Sequence, residues 1–168
     1  MRTFVVASVF AVCLLATSSG ALAEPTSIQS TLKDMGYVSL PLERHPNGTW
    51  SVKGLIHGEE MRFQLDLSND DSLFDIRALR KLRINFERTE IVIPTPRLNA
   101  QIERGRILGL EFQGRSTGAM TIHAGDIDAI YRVKPGVDGP DAVLGAGFLA
   151  QYGGMLDFSQ KLLHLKFK

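Results

Sequence analysis

Met61-Arg62-Phe63-Gln64-Leu65-Asp66-Leu67-Ser68-Asn69-Asp70-Asp71-Ser72-Leu73-Phe74 is the stretch that decides the fold. Met61, Phe63 and Leu65 alternate with Arg62, Gln64 and Asp66, the period of a half-buried strand. A tight polar loop follows, and then a segment with helical spacing. Asp66 falls at the strand's end, where a rigid element meets an accessible loop mouth. Two readings of Asp66 stand side by side: a turn residue that satisfies backbone donors, or a carboxylate placed for chemistry.

Outward from this stretch the chain reads as short strands. Tyr37 to Leu42 alternates, with Pro41 marking an edge. His45-Pro46-Asn47-Gly48 is a turn, Thr49 to His57 a second strand, and His57-Gly58-Glu59-Glu60 the turn into the Asp66 strand, so two successive hairpins are expected. Leu73, Ile76, Leu79 and Leu82 predict a helix over 72–83, with Ser72 and Asp75 as its capping box and Arg80, Lys81 and Arg83 at its negative end. This dipole explains the acids at 70, 71 and 75 without a metal. Glu90 to Pro94, Ala100 to Phe112 (interrupted by Gly105 and Gly109), Ala119 to His123 and Ile127 to Val133 read as further strands, and 134–140 as a loop. Ala142-Val143-Leu144-Gly145 enters a short helix through Tyr152 that Gly153-Gly154 stops, and Met155–Phe158 with Leu162–Phe167 form a last hairpin. The sum is mainly β: a small closed or partly closed barrel with one or two short helices.

The Asp66 stretch, together with Asp141-Ala142-Val143-Leu144-Gly145-Ala146-Gly147-Phe148-Leu149 through Phe158, resembles the retropepsin-like aspartic peptidases. The resemblance covers most of the chain after about residue 36. In that family a strand ends in Asp-Thr-Gly-Ala/Ser, and a later Gly-x-Asp-Phe-Leu segment opens a short helix before a final hairpin. The resemblance implies that Asp66 is the catalytic residue, on an active-site loop Leu67, Ser68 and Asn69. It implies a flap at Ile93, Pro94, Thr95 and Pro96, stiffened here by two prolines. One such loop per chain implies a homodimer acting on a peptide or protein substrate, each subunit giving one Asp66. Leu67 stands where the family's Thr locks the two loops by its hydroxyl, and Ser68 stands where its Gly lets the backbone approach closely. Gly147 replaces the Asp of the later motif, and Asp157 reads as a structural turn residue. Two functions stay open: an aspartic endopeptidase with altered active-site support, expected to cleave weakly or not at all, and a non-catalytic binding or assembly module on the same barrel.

Residues 1–23 read as a secretory signal. Arg2 supplies the charged start, Phe4 to Ala16 an apolar run too short for a resident span, and Ala21-Leu22-Ala23 the cleavage pattern before Glu24. The expectation is an exported protein, periplasmic or secreted, with a lead over 24–35 and a domain over 36–168. Cys13 falls within the signal, so no cysteine remains beyond it and the domain must stand on its hydrophobic core. Without Arg2, 18 Lys and Arg face 18 Asp and Glu, which argues against an electrostatic nucleic-acid binder. No further apolar stretch reaches membrane length, so no membrane partner is expected after cleavage. His45, His57, His123 and His164 lack metal-ligand spacing, no Gly-x-Ser-x-Gly elbow or phosphate loop appears, and neither cofactor nor metal is expected. Trp50 reads as a packing residue. A lipocalin-like ligand barrel is disfavoured by the 142–158 segment.

Overall fold

The computed structural model describes residues 28–96, 99–133 and 139–167. The stretch 1–23 read as a secretory signal and the first residues of the expected lead, with most of the 134–140 loop, lie outside the described residues. In chain order the elements are α1 (Ile28–Asp34), β1 (Tyr37–Pro41), β2 (Glu43–Arg44), β3 (Trp50–Ile56) and β4 (Glu59–Asp66). Next come β5 (Leu73–Asp75), α2 (Ile76–Lys81), β6 (Phe86–Ile93), β7 (Ala100–Ile107), β8 (Leu110–Phe112) and β9 (Arg115–Ser116). The chain continues through β10 (Met120–Gly125), α3 (Ile127–Ile130), β11 (Ala142–Gly145), α4 (Ala146–Gln151), β12 (Met155–Asp157) and β13 (Leu162–Lys166). The fold is mainly β, as expected, with four short helices among the described residues.

The alternation of 61–66 does form a strand. β3 and β4 pair antiparallel, with Val52 opposite Phe63 and Trp50 opposite Leu65. His57 and Gly58 join them at φ 52° and 85°, the doubly positive turn that matches the twist of a two-residue hairpin. The next pairing is non-local. β11 inserts between β4 and β5, parallel to the first and antiparallel to the second, so Gly145 lies opposite Asp66 and Ala142 opposite both Phe63 and Phe74. All four β11 residues are buried, which is why Ala-Val-Leu-Gly is an unbroken small and apolar run. The larger sheet runs β6-β7-β10-β5-β11-β4-β3-β8-β9 with β2 beside β3, and the pairing order does not close on itself. The smaller sheet is β1-β13-β12. Leu40, Leu163 and Leu165 of the small sheet share one core with Val52, Phe63, Leu110 and Phe112 of the large one.

Four local readings change. The helix expected over 72–83 begins at Ile76, because Leu73 and Phe74 are buried strand residues paired with β11 and β10. Asp75 is itself the cap, accepting from the Arg77 and Ala78 amides at 3.0 Å each. The strand expected over 127–133 is the helix α3, which Asp126 caps through the Ala129 amide. Of the expected double hairpin only β3–β4 and the two-residue β2–β3 pairing form; β1 crosses to the last strand, β13, at the edge that Pro41 marks. Gly105 does not interrupt β7: it sits inside the strand against Phe86, whose ring would stand 2.7 Å from a Cβ placed there. Gly109, at φ 141°, makes the break. The final hairpin is as expected, with Asp157 accepting from the Ser159 hydroxyl (2.6 Å) and the Gln160 amide (2.9 Å) across its turn. Trp50 packs at 5.6 Å on Phe158 under the Arg44 guanidinium.

Candidate active site

Asp66 ends β4 half-buried, and the loop 67–72 carries the chain to β5 over the end of β11. This loop is clamped from below. The Ala146 amide donates to the Asn69 carbonyl (2.7 Å), the Gly147 amide to the Asp70 carbonyl (3.1 Å), and the Gly145 amide to the Ser72 hydroxyl (3.0 Å). A Cβ on Gly147 would stand 2.8 Å from the Asp70 carbonyl oxygen, so the position where the resembled motif has Asp leaves no room for a side chain.

The Asp66 carboxylate is engaged by its own loop. Its Oδ1 accepts from the Ser68 amide (3.0 Å) and the Ser68 hydroxyl (2.5 Å); its Oδ2 accepts from the Asn69 side-chain amide (2.6 Å) and, at 3.5 Å, from the Tyr131 hydroxyl. The Ser68 hydroxyl thus folds back on the carboxylate. Partial burial pushes the Asp66 carboxyl up, but the donors from Ser68, Asn69 and Tyr131 outweigh it and hold the group below its ordinary value of 3.8. Burial, and then the facing Asp66 charge, push the Tyr131 hydroxyl up, so it stays a proton donor. Because the folded-state pKa is depressed, the loop bonds add stability above the unfolded pKa of Asp66 and lose it as pH falls through the folded one. Ser68→Ala is expected to raise the Asp66 midpoint, read by carboxyl-carbon NMR titration of the monomer. An unmoved midpoint would show that the serine hydroxyl does not act on the carboxylate.

Leu67 is 56% exposed, and Ser68 and Asn69 are exposed beside it. Ile93 closes β6, half-buried, and Pro94, Thr95 and Pro96 begin the turn of the β6–β7 hairpin. Ile93 and Tyr131 pack on one cluster, Leu73, Ile102, Ile127 and Val143, so Tyr131 is the link between the hairpin's end and Asp66. Sequence reasoning missed Tyr131 because it fell in a segment read as strand, where its side-chain direction was wrong. It also missed Ser72 and Gly145, whose roles follow from the insertion of β11.

A second polar cluster lies on the α2–α3 side. A cleft of about 400 Å³ is lined by Asp75, Arg77, Lys81, Asp128 and Asp141 among others. Arg77 pairs with buried Asp75 at 2.9 Å and with Asp128 at 2.6 Å, hydrogen bonds that push its guanidinium still further toward the charged form. The Ile127 amide approaches Asp75 at 3.4 Å, so this cluster ties α2 to α3, with Arg77 set between the Asp75 and Asp128 carboxylates. Among the described residues no group of three His, Asp or Glu is arranged to hold a metal.

No protein-family model matches the chain, and no curated protein matches it. Among solved structures it is similar to a retropepsin-like aspartic protease from Rickettsia conorii, with a TM-score of 0.54 over 79% of this chain and 91% of that one, at 16% identity. The fold is retropepsin-like. A weaker likeness, to the retroviral protease-like domain of Ddi1 from Leishmania major, has a TM-score of 0.48 at 14% identity, covering 70% of this chain and 92% of that one. In this retropepsin-like fold the non-local insertion of β11 and the Asp66 loop meet at the end of β4. Among the described residues no helix is long and apolar enough to cross a membrane.

Proposed function

We propose that this chain is an exported retropepsin-type aspartic peptidase domain, periplasmic or secreted, that works slowly, as a homodimer, on peptide or protein substrates. The observation that carries this reading is Asp66: a hydrogen-bonded, half-exposed carboxylate at the end of β4, on a loop held by the start of α4. One such carboxylate is half of an acid–base pair. A second copy related by a two-fold supplies the other, and two carboxylates that close share one proton. The ionised Asp66 takes a proton from water, whose oxygen attacks the scissile carbonyl carbon. The protonated Asp66 gives its proton to the carbonyl oxygen. The tetrahedral diol then collapses as a proton passes to the amide nitrogen and the C–N bond breaks. The pair titrates as a unit, so the pH–rate profile belongs to both carboxylates. In this reading Ile93 to Pro96 begin a flap over the peptide.

The slowness follows from Ser68 and Asn69. Their donors stabilise the carboxylate and so weaken it as a base. The same observation favours a second reading, a non-catalytic binding or assembly module whose Asp66 only satisfies its loop. A mixed-peptide cleavage assay from acid to neutral pH, with Asp66→Asn alongside, separates them. The expected result is slow cleavage that falls by at least about 100-fold in Asp66→Asn, the loss of general acid–base assistance. Cleavage that survives Asp66→Asn would overturn the aspartic mechanism; no cleavage from a folded dimer would favour the binding module.

A further inference from the structure

Asp66 has a donor that does not belong to its own loop. Ser68 and Asn69 lie within three residues of the carboxylate and travel with it when the loop shifts. Tyr131 lies 65 residues further along, at the end of α3, and its hydroxyl reaches Asp66 Oδ2 at 3.5 Å. α3 has four residues, too few to hold a position by its own hydrogen bonds. It is fixed from outside: buried Asp75 faces the Ile127 amide at 3.4 Å, and Asp128 pairs with Arg77 of α2 at 2.6 Å. Ile127 is fully buried in the apolar cluster on which the Tyr131 ring packs, and the Tyr131 amide donates to the Ile127 carbonyl at 2.8 Å. The α2–α3 ion cluster, which peptide hydrolysis itself does not use, thus fixes where the phenol stands.

We propose that Tyr131 is a positioning residue of the peptidase site: from the α3 frame its hydroxyl fixes Asp66 Oδ2 against the body of the subunit and thereby sets the acid limit of the reaction. The inference rests on the peptidase reading above and adds to it a residue from outside the loop. A phenol O–H donates without bringing a positive charge, so it supports the carboxylate and leaves its negative charge in place. A bond made to the charged form is lost when that form takes up a proton, so the contact opposes protonation. At 3.5 Å it is weaker than the Asn69 bond at 2.6 Å, and its effect is correspondingly smaller. Burial, and then the Asp66 charge, keep the phenol protonated while the carboxylate titrates. A two-fold gives each carboxylate its own Tyr131, so both steps of the coupled pair move together. Tyr131 acts through Asp66 and is not itself catalytic.

The test uses the full chain and Tyr131→Phe, which keeps the ring in its cluster and removes only the hydroxyl. Cleavage of a mixed peptide library is followed from acid to neutral pH, and the Asp66 carboxyl-carbon midpoint is read by NMR on the same protein. Tyr131→Phe is expected to raise that midpoint and to move the acid limb of the pH–rate profile to higher pH with it. At the acid edge the rate should fall about threefold, the low end of what one hydrogen bond contributes. KM and Tm should stay as they are, because the packing is kept. A residue that only packs would move neither the midpoint nor the limb. An unmoved midpoint would overturn the inference and leave the peptidase reading standing. A midpoint that moves without the limb would overturn it as well, since the contact would then not reach the reaction. A chain that folds and dimerises but cleaves nothing would overturn the peptidase reading and, with it, the role of Tyr131 in the reaction.

Discussion

Phe63→Ala is expected to lower the unfolding free energy by about 3–5 kcal/mol, the cost of emptying an aromatic site in a packed core. Phe63 is fully buried, with the Phe112 ring at 5.4 Å and the Phe74 ring edge-on at 6.5 Å. Phe112 continues the chain of rings to Phe148 at 6.4 Å and Phe167 at 6.0 Å, so the cavity would open where β4, β5, β8 and the C-terminal elements meet. Phe74 and Phe112 sit on paired strands and cannot collapse freely, which puts the cost toward the upper end of the range. Against a typical domain stability of about 5–15 kcal/mol the loss is large, and it should lower Tm by roughly 10–20 °C. Urea titration is the measurement: the midpoint should fall with the slope unchanged. The control is Phe158→Ala. Phe158 is 54% exposed against Trp50, and its loss should cost less than about 1 kcal/mol. Equal effects at the two positions would show that Phe63 is not the centre of the core.

Phe63 was legible in the sequence because its cause is local. Alternation with Arg62 and Gln64 marks the buried face of a strand, and the His57-Gly58 turn that fixes the register lies seven residues or fewer away. The Asp157 turn was legible for the same reason. What could not be read are the consequences of β11, which pairs with a strand more than seventy residues earlier. That pairing takes Leu73 and Phe74 into the sheet. Their spacing to Ile76 and Leu79 imitates a helix face, so the apolar period was real while its meaning was tertiary. Asp75 then moves from partner in a capping box to the cap itself. At the site, the alternation of 61–66 put Asp66 at a strand end, and its reading as a catalytic residue on a loop Leu67, Ser68 and Asn69 came from the family resemblance. Tyr131, Ser72 and Gly145 reach it only through the fold, and no spacing in the sequence joins them to it.

Gly145→Ala is expected to disable the site and weaken the fold together, which tests whether β11 sets the position of Asp66. The backbone of Gly145, at φ −80° and ψ 172°, is open to any residue, so the constraint is space rather than conformation. A Cβ there would stand 2.5 Å from the Asp70 and Asp71 carbonyl oxygens and 2.7 Å from that of Asn69. All three are backbone atoms, and no rotamer relieves them. The loop 67–72 must lift, which strains the bonds from the Gly145, Ala146 and Gly147 amides. The overpacking should cost about 1–3 kcal/mol. Because Gly145 lies opposite Asp66 in the sheet, the lift displaces the carboxylate, and a misplacement of about 1 Å should lower hydrolysis by about 100-fold. Gly105→Ala is the comparison: the Cβ would meet the Phe86 ring at 2.7 Å, a half-buried side chain that can swing aside, and the change lies away from the Asp66 loop. It should lose stability without a comparable loss of rate. Thermal melting and cleavage rate, measured on both variants, separate the two effects. If Gly145→Ala melts and cleaves as the unaltered chain does, the loop rests on β11 too loosely to position a carboxylate, and the peptidase reading loses its geometric support.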